Sequence, residues 1–215
     1  MVHRGFYLII PIEFRSTGVL PPEWSIHNLM EYLDVRYYVG LLSAAAIWGA
    51  SHQKPQEFQV LTNVQLRPIR VKILKIRFFK KAHFPDPLFL GQQKTETGYM
   101  RISNPELTAL DLMKYAKAVG GLHLIATVFA ELGRSIDPQR LLNVARKEKT
   151  LASVQRLGLM LDNVGFKAKT KDIAEFLREK NTRPVSLEPG LHKKNSPLIK
   201  KWNIYENLRI EADEL

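Results

Sequence analysis

Residues 95–115, TETGYMRISNPELTALDLMKY, set a strand directly against the start of a helix, and this junction constrains the fold more than any other stretch. From Gly98 to Ser103, Met100 and Ile102 fall on one side and Tyr99, Arg101 and Ser103 on the other, the period of two of a half-buried strand. Asn104 then offers a side-chain oxygen to the free amides of a first helical turn. Pro105 takes the first helical position, where no backbone donor is missed, and Glu106 adds negative charge at the positive end of the dipole. Leu107, Leu110 and Met113 follow at helical spacing, which predicts an apolar stripe with Glu106, Asp111 and Lys117 turned to water. Asp111 is expected to pair with Lys114, three residues on along the same exposed face.

Ahead of this junction, residues 4–14, RGFYLIIPIEF, read as a strand from their aromatic and β-branched content. The apolar part, residues 6–12, is far too short to span a bilayer, and no small-residue cleavage site follows it. Without cysteine the chain has no disulfide or thiolate chemistry, so no export is inferred and a cytoplasmic setting is expected. Residues 23–33 and 37–50 read as helices, the second buried and ended by Gly49, and residues 57–62 as a strand. Residues 68–80, PIRVKILKIRFFK, alternate as a strand whose register shifts at a bulge or tight turn near Lys75. Residues 83–95 read as a loop.

Beyond Gly120 and Gly121 the pattern becomes helical. Helices are expected over 122–132, closed by Gly133; over 138–147, capped by Asp137; over 151–164; and over 173–180. Gly158, between Leu157 and Leu161, marks a place where another element approaches closely. Short extended pieces are expected over 183–188 and 199–205. The fold class is therefore α+β: a mixed-sheet lobe with packed helices over residues 1–120, followed by a mainly helical lobe over 121–215.

Composition matters most through charge. With 32 Lys and Arg against 21 Asp and Glu, the formal net charge of +11 favours a polyanionic partner such as DNA, RNA or an acidic protein. The densest basic stretch holds Arg67, Arg70, Lys72, Lys75, Arg77, Lys80 and Lys81 and no acid. Such a row is either a phosphate-contacting face or an edge guarded against unwanted strand pairing. No phosphate-binding loop, H-E-x-x-H, G-x-S-x-G or dinucleotide turn occurs in the sequence. His3, His27, His52, His83, His123 and His192 lie apart without ligand spacing. The reading is a binding protein with no catalytic residues, metal or cofactor, and the alternative is a nucleic-acid-processing enzyme of nuclease type.

Several segments together, VHRGFYLIIP, YYVGLLSAAAIWGASHQKPQEFQVLTN, RPIRVKILKIRFF, ETGYMRISNPELTALDLM and QRLGLML, resemble the AbiEi antitoxins of type IV abortive-infection toxin-antitoxin systems. The resemblance runs in consistent order over residues 2–164. It implies an antitoxin that antagonises a nucleotidyltransferase-like toxin without a stable complex, and that represses its own operon when joined to a winged helix-turn-helix. The opening VHRGFYLIIP resembles the passage from the wing into the antitoxin domain. The resemblance thus implies that the recognition helix is not in this chain, and that DNA binding by the chain alone is weak and non-specific. It carries over no catalytic residues and no membrane association.

Overall fold

Pro21 and Pro22 set the backbone that opens helix α1 (Pro22–Tyr32), with Pro22 at the first helical position. Ile26, Leu29 and Met30 recur at helical spacing and are buried, so α1 lays one stripe on the core. The computed structural model describes residues 5–50 and 55–210 of the 215. They divide into two compact units. The first holds the described residues up to Ile47 and from 55 to Asn104; the second holds residues 48–50 and the described residues from Pro105 onward.

In the first unit, strands β1 (Tyr37–Val39), β2 (Phe58–Thr62), β3 (Ile69–Val71), β4 (Leu74–Lys80), β5 (Leu90–Thr95) and β6 (Gly98–Ser103) form one sheet in the order β3-β4-β2-β1-β6-β5. It is mixed: β1 runs parallel to β6 and β2 to β4, while β1 with β2, β3 with β4 and β5 with β6 are antiparallel. The core lies on one face, where Tyr37, Val39, Val60, Ile76, Phe78, Met100 and Ile102 meet the stripe of α1. The Tyr37 hydroxyl accepts the Arg101 N–H at 3.2 Å and meets His27 Nδ1 at 3.1 Å, joining α1 to two strands. Burial pushes the Tyr37 phenol up to about 12, so it stays a neutral hydroxyl.

Three expectations for this unit are corrected. Residues 5–14 form no strand beyond a bridge at Phe6, followed by a 3-10 turn at Ile12–Phe14; Arg4 lies outside the described residues. Residues 37–50 split at Gly40 into β1 and the short helix α2 (Leu41–Ile47), because Tyr37, Tyr38 and Val39 are drawn into the sheet centre. The stretch expected as a loop ends in β5, which pairs along its whole length with β6 through a turn at Glu96 and Thr97.

The second unit contains α3 (Pro105–Lys114), α4 (Ala116–Val119), α5 (Gly121–Ser135), α6 (Pro138–Lys147), α7 (Leu151–Asn163) and α8 (Lys171–Glu179). A small sheet follows, β7 (Val185–Ser186), β8 (Leu198–Ile199) and β9 (Ile204–Tyr205), in the order β7-β9-β8. Helix α3 begins where the Asn-Pro-Glu pattern places it, but it is not amphipathic in use: every residue from Pro105 to Met113 is buried, with α5, α6 and α7 packed around it. Glu106 and Asp111 are both fully buried rather than turned to water. Glu106 Oε1 accepts the Asp137 N–H at 2.7 Å, tying the start of α3 to the start of α6. Lys114 pairs not with Asp111 but with Glu148, at 2.8 Å. Asp137 caps α6 as expected, its Oδ1 accepting the Arg140 N–H at 2.9 Å.

Helix α5 continues through Gly133 instead of ending before it. The Lys169 ammonium donates to the carbonyl oxygens of Gly133, Arg134 and Ile136 at 2.8, 2.9 and 2.7 Å, satisfying the orphan acceptors of the last turn with a cation at the negative end of the dipole.

Candidate nucleic-acid interface

Strands β3 and β4 form a hairpin at the edge of the six-stranded sheet, with Ile69 opposite Ile76, Arg70 opposite Lys75 and Val71 opposite Leu74. Two residues, Lys72 and Ile73, close it. The turn therefore falls just before the position expected near Lys75, with Lys72 in left-handed backbone at φ 52° and Ile73 exposed. Alternation along β4 buries Leu74, Ile76 and Phe78 and leaves Lys75 exposed and Arg77 half-buried on the opposite face.

That face brings together three of the seven basic residues marked by the sequence: Arg70, Lys75 and Arg77. Arg70 and Lys75 are directly opposed like charges, an arrangement that costs stability unless something offsets it. Glu57, just before β2, supplies the offset: its carboxylate lies 3.5 Å from Arg70 Nη2 and 3.7 Å from Arg77 Nη1. Both guanidinium groups are substantially exposed, so water screens these pairs and each holds its partner only weakly. The Arg77 guanidinium also lies 4.8 Å from the centroid of the Phe79 ring, which fixes its height above the sheet. Lys72 stands at the hairpin tip and Arg67 in the exposed segment leading into β3.

The other two members are placed elsewhere. Lys80 is exposed but belongs to the opposite parity of β4 from Lys75 and Arg77. Lys81 is buried, its ammonium 5.6 Å from the Tyr38 ring centroid, and its main-chain N–H donates to the Thr62 carbonyl at 2.8 Å. The residue that sequence reading did not place in this cluster is Glu57. Its role depends on β2 pairing in parallel with β4, a contact that local pattern does not encode.

Among the described residues no group of three or more His, Asp or Glu side chains gathers as metal ligands. Among them, too, no helix is long and apolar enough to cross a membrane.

The molecule is thus an α+β protein with a mixed six-stranded sheet, edged by a cationic hairpin, in one unit and a mainly helical second unit. A family model described as the AbiEi antitoxin C-terminal domain matches residues 38–163, from the centre of the sheet to the end of α7, and the chain belongs to that family. Its fold is similar to that in the crystal structure of the RV2827C protein from Mycobacterium tuberculosis. That likeness has a TM-score of 0.61 and 13% identity, over 86% of this chain and 68% of that one, and at this identity it is a likeness of fold alone. A comparison with curated proteins found no match.

Proposed function

We propose that this chain is the antitoxin and regulator domain of a type IV abortive-infection toxin-antitoxin system, with residues 1–215 acting as one antitoxin domain in the cytoplasm. Its toxin is nucleotidyltransferase-like and is antagonised without a stable complex, and the operon is autoregulated when the domain is joined to a winged helix. Membership of the antitoxin family carries this reading. The cationic hairpin supports its DNA-facing half: Arg70, Lys75 and Arg77 share one face, where Glu57 pairs with the two arginines, and Lys72 stands at the tip.

Side chains of this kind on a strand edge neutralise phosphates, whereas sequence is read through base edges in the grooves and through DNA shape. Binding by these 215 residues is therefore weak, sequence-blind and steep in salt, with a dissociation constant no better than about 1 µM at physiological salt. Arg67, Lys80 and Lys81 complete the proposed set, with Arg67 and Lys80 adding exposed charge toward the open end of the hairpin, away from its tip, and the buried Lys81 contributing only at a distance.

Fluorescence anisotropy with operator and scrambled duplexes at several salt concentrations tests this. The expected result is near-equal affinity for both duplexes. The triple change of Arg70, Lys72 and Arg77 to Ala should lower the slope of log K against log salt by roughly 2 to 3. Tight, operator-selective binding by residues 1–215 alone would overturn the placement of the DNA-contacting element.

A further inference from the structure

The second unit holds a cavity of about 560 Å³ between one face of α8 and the turn joining β8 to β9. Its volume falls within the range of small-molecule sites, about 300–1,000 Å³. From α8, Lys171 and Arg178 line it two helical turns apart, and Lys200 lines it from the facing turn. Thr182 and Asn203 add polar groups, and Leu177 and Trp202, both almost wholly covered by the protein, complete the wall.

Which cations are already engaged decides what this cavity can take. Lys201 donates to Asp162 Oδ2 at 2.7 Å and to Thr170 Oγ1 at 3.2 Å, so its charge is compensated. Among the described residues Arg178 meets only Glu175, at 3.2 Å, in an exposed pair that water screens. Lys171 and Lys200 have no side-chain partner among the described residues. The cavity therefore presents three available positive charges against one weakly held carboxylate.

The turn that carries Lys200 is also held firmly before any ligand arrives. Asp162 Oδ2 accepts the Trp202 indole N–H at 2.8 Å, the Gln155 amide donates to the carbonyls of Trp202 and Asn203 at 2.9 and 3.2 Å, and Asn203 Nδ2 donates to the Thr182 carbonyl. Binding there has little backbone ordering to overcome. The whole lining lies beyond residue 163, outside the stretch that the family model matches.

We propose that this cavity binds a phosphate-bearing small ligand of nucleotide size, with Lys171, Arg178 and Lys200 on its phosphates. Calorimetric titration of the full chain at physiological salt with uridine triphosphate, pyrophosphate and uridine tests this. The two phosphate-bearing probes should bind and uridine should not. Lys200→Gln and Arg178→Gln, both at exposed positions, should each weaken binding about tenfold with an unchanged melting temperature. Lys193→Gln, an exposed lysine outside the lining, should leave the affinity unchanged.

Failure of both phosphate-bearing probes to bind at millimolar concentration would overturn the proposal. So would equal weakening by Lys193→Gln, which marks diffuse charge attraction, or binding of a single-stranded oligonucleotide with no mononucleotide binding, which marks a strand groove. Each of these readouts is independent of the antitoxin reading.

Discussion

The six-membered ring of Trp202 fills the place that a β-carbon on Gly158 would take: Cζ3 lies 2.1 Å from that position. Only a hydrogen at residue 158 lets the buried indole reach α7, where Asp162, one turn on, accepts its N–H at 2.8 Å. Gly158→Ala gains helix propensity of up to about 1 kcal/mol and loses more through overpacking against a rigid ring, about 1–3 kcal/mol. With the full propensity gain offset, a net destabilisation of up to about 2 kcal/mol is expected, read as a lower urea midpoint. A midpoint equal to or above that of the parent chain would show that the indole does not pack there.

Glu106 carries a second prediction. Burial, its largest influence, raises its carboxyl above the ordinary 4.5, and the Asp137 N–H only partly counters this. The other oxygen, Oε2, is buried without a hydrogen-bond partner among the described residues. An acid whose folded value exceeds its unfolded one binds more protons when folded. The stabilising protonated form is thus fully present below the unfolded value and is lost as pH rises through the folded one. Glu106→Gln keeps an acceptor for Asp137 and removes the titration. Its stability relative to the parent chain should therefore rise as pH increases from 4.5 upward, measured by denaturant midpoints at several pH values. A difference independent of pH would refute the buried-acid assignment.

The hairpin predicts an effect of opposite sign to the usual loss on mutation. Because Glu57 restrains Arg70 and Arg77 through weak, screened pairs, Glu57→Gln should release both guanidinium groups toward phosphate. Duplex affinity should rise by up to about fivefold at low salt, with the gain shrinking as salt increases. Unchanged anisotropy curves would place the DNA contact away from this face.

How far the sequence spoke depended on how local each feature is. The start of α3 was legible because Pro105 at the first helical position acts on its own turn, and so was the Asp137 cap of α6. The environments of Glu106 and Asp111 were not, since polar side chains on an apparently amphipathic helix are buried by partners far along the chain, as with the Asp137 N–H. Strand β5, LGQQKT, lacks an apolar alternation and exists because β6 offers it a ladder, whereas the apolar residues 6–12 find no such ladder. For the candidate interface, the basic row was readable as composition, but pleat parity sets Lys80 apart, burial removes Lys81, and the β2–β4 pairing brings in Glu57.

Growth of cells carrying, under inducible control, the nucleotidyltransferase-like toxin proposed as its partner tests the antitoxin reading most directly. Co-expression of residues 1–215 should restore growth while the two purified proteins elute separately in size-exclusion chromatography. Continued growth arrest with the chain present in soluble, folded form would contradict the antitoxin assignment, and co-elution as a stable complex would contradict antagonism without one.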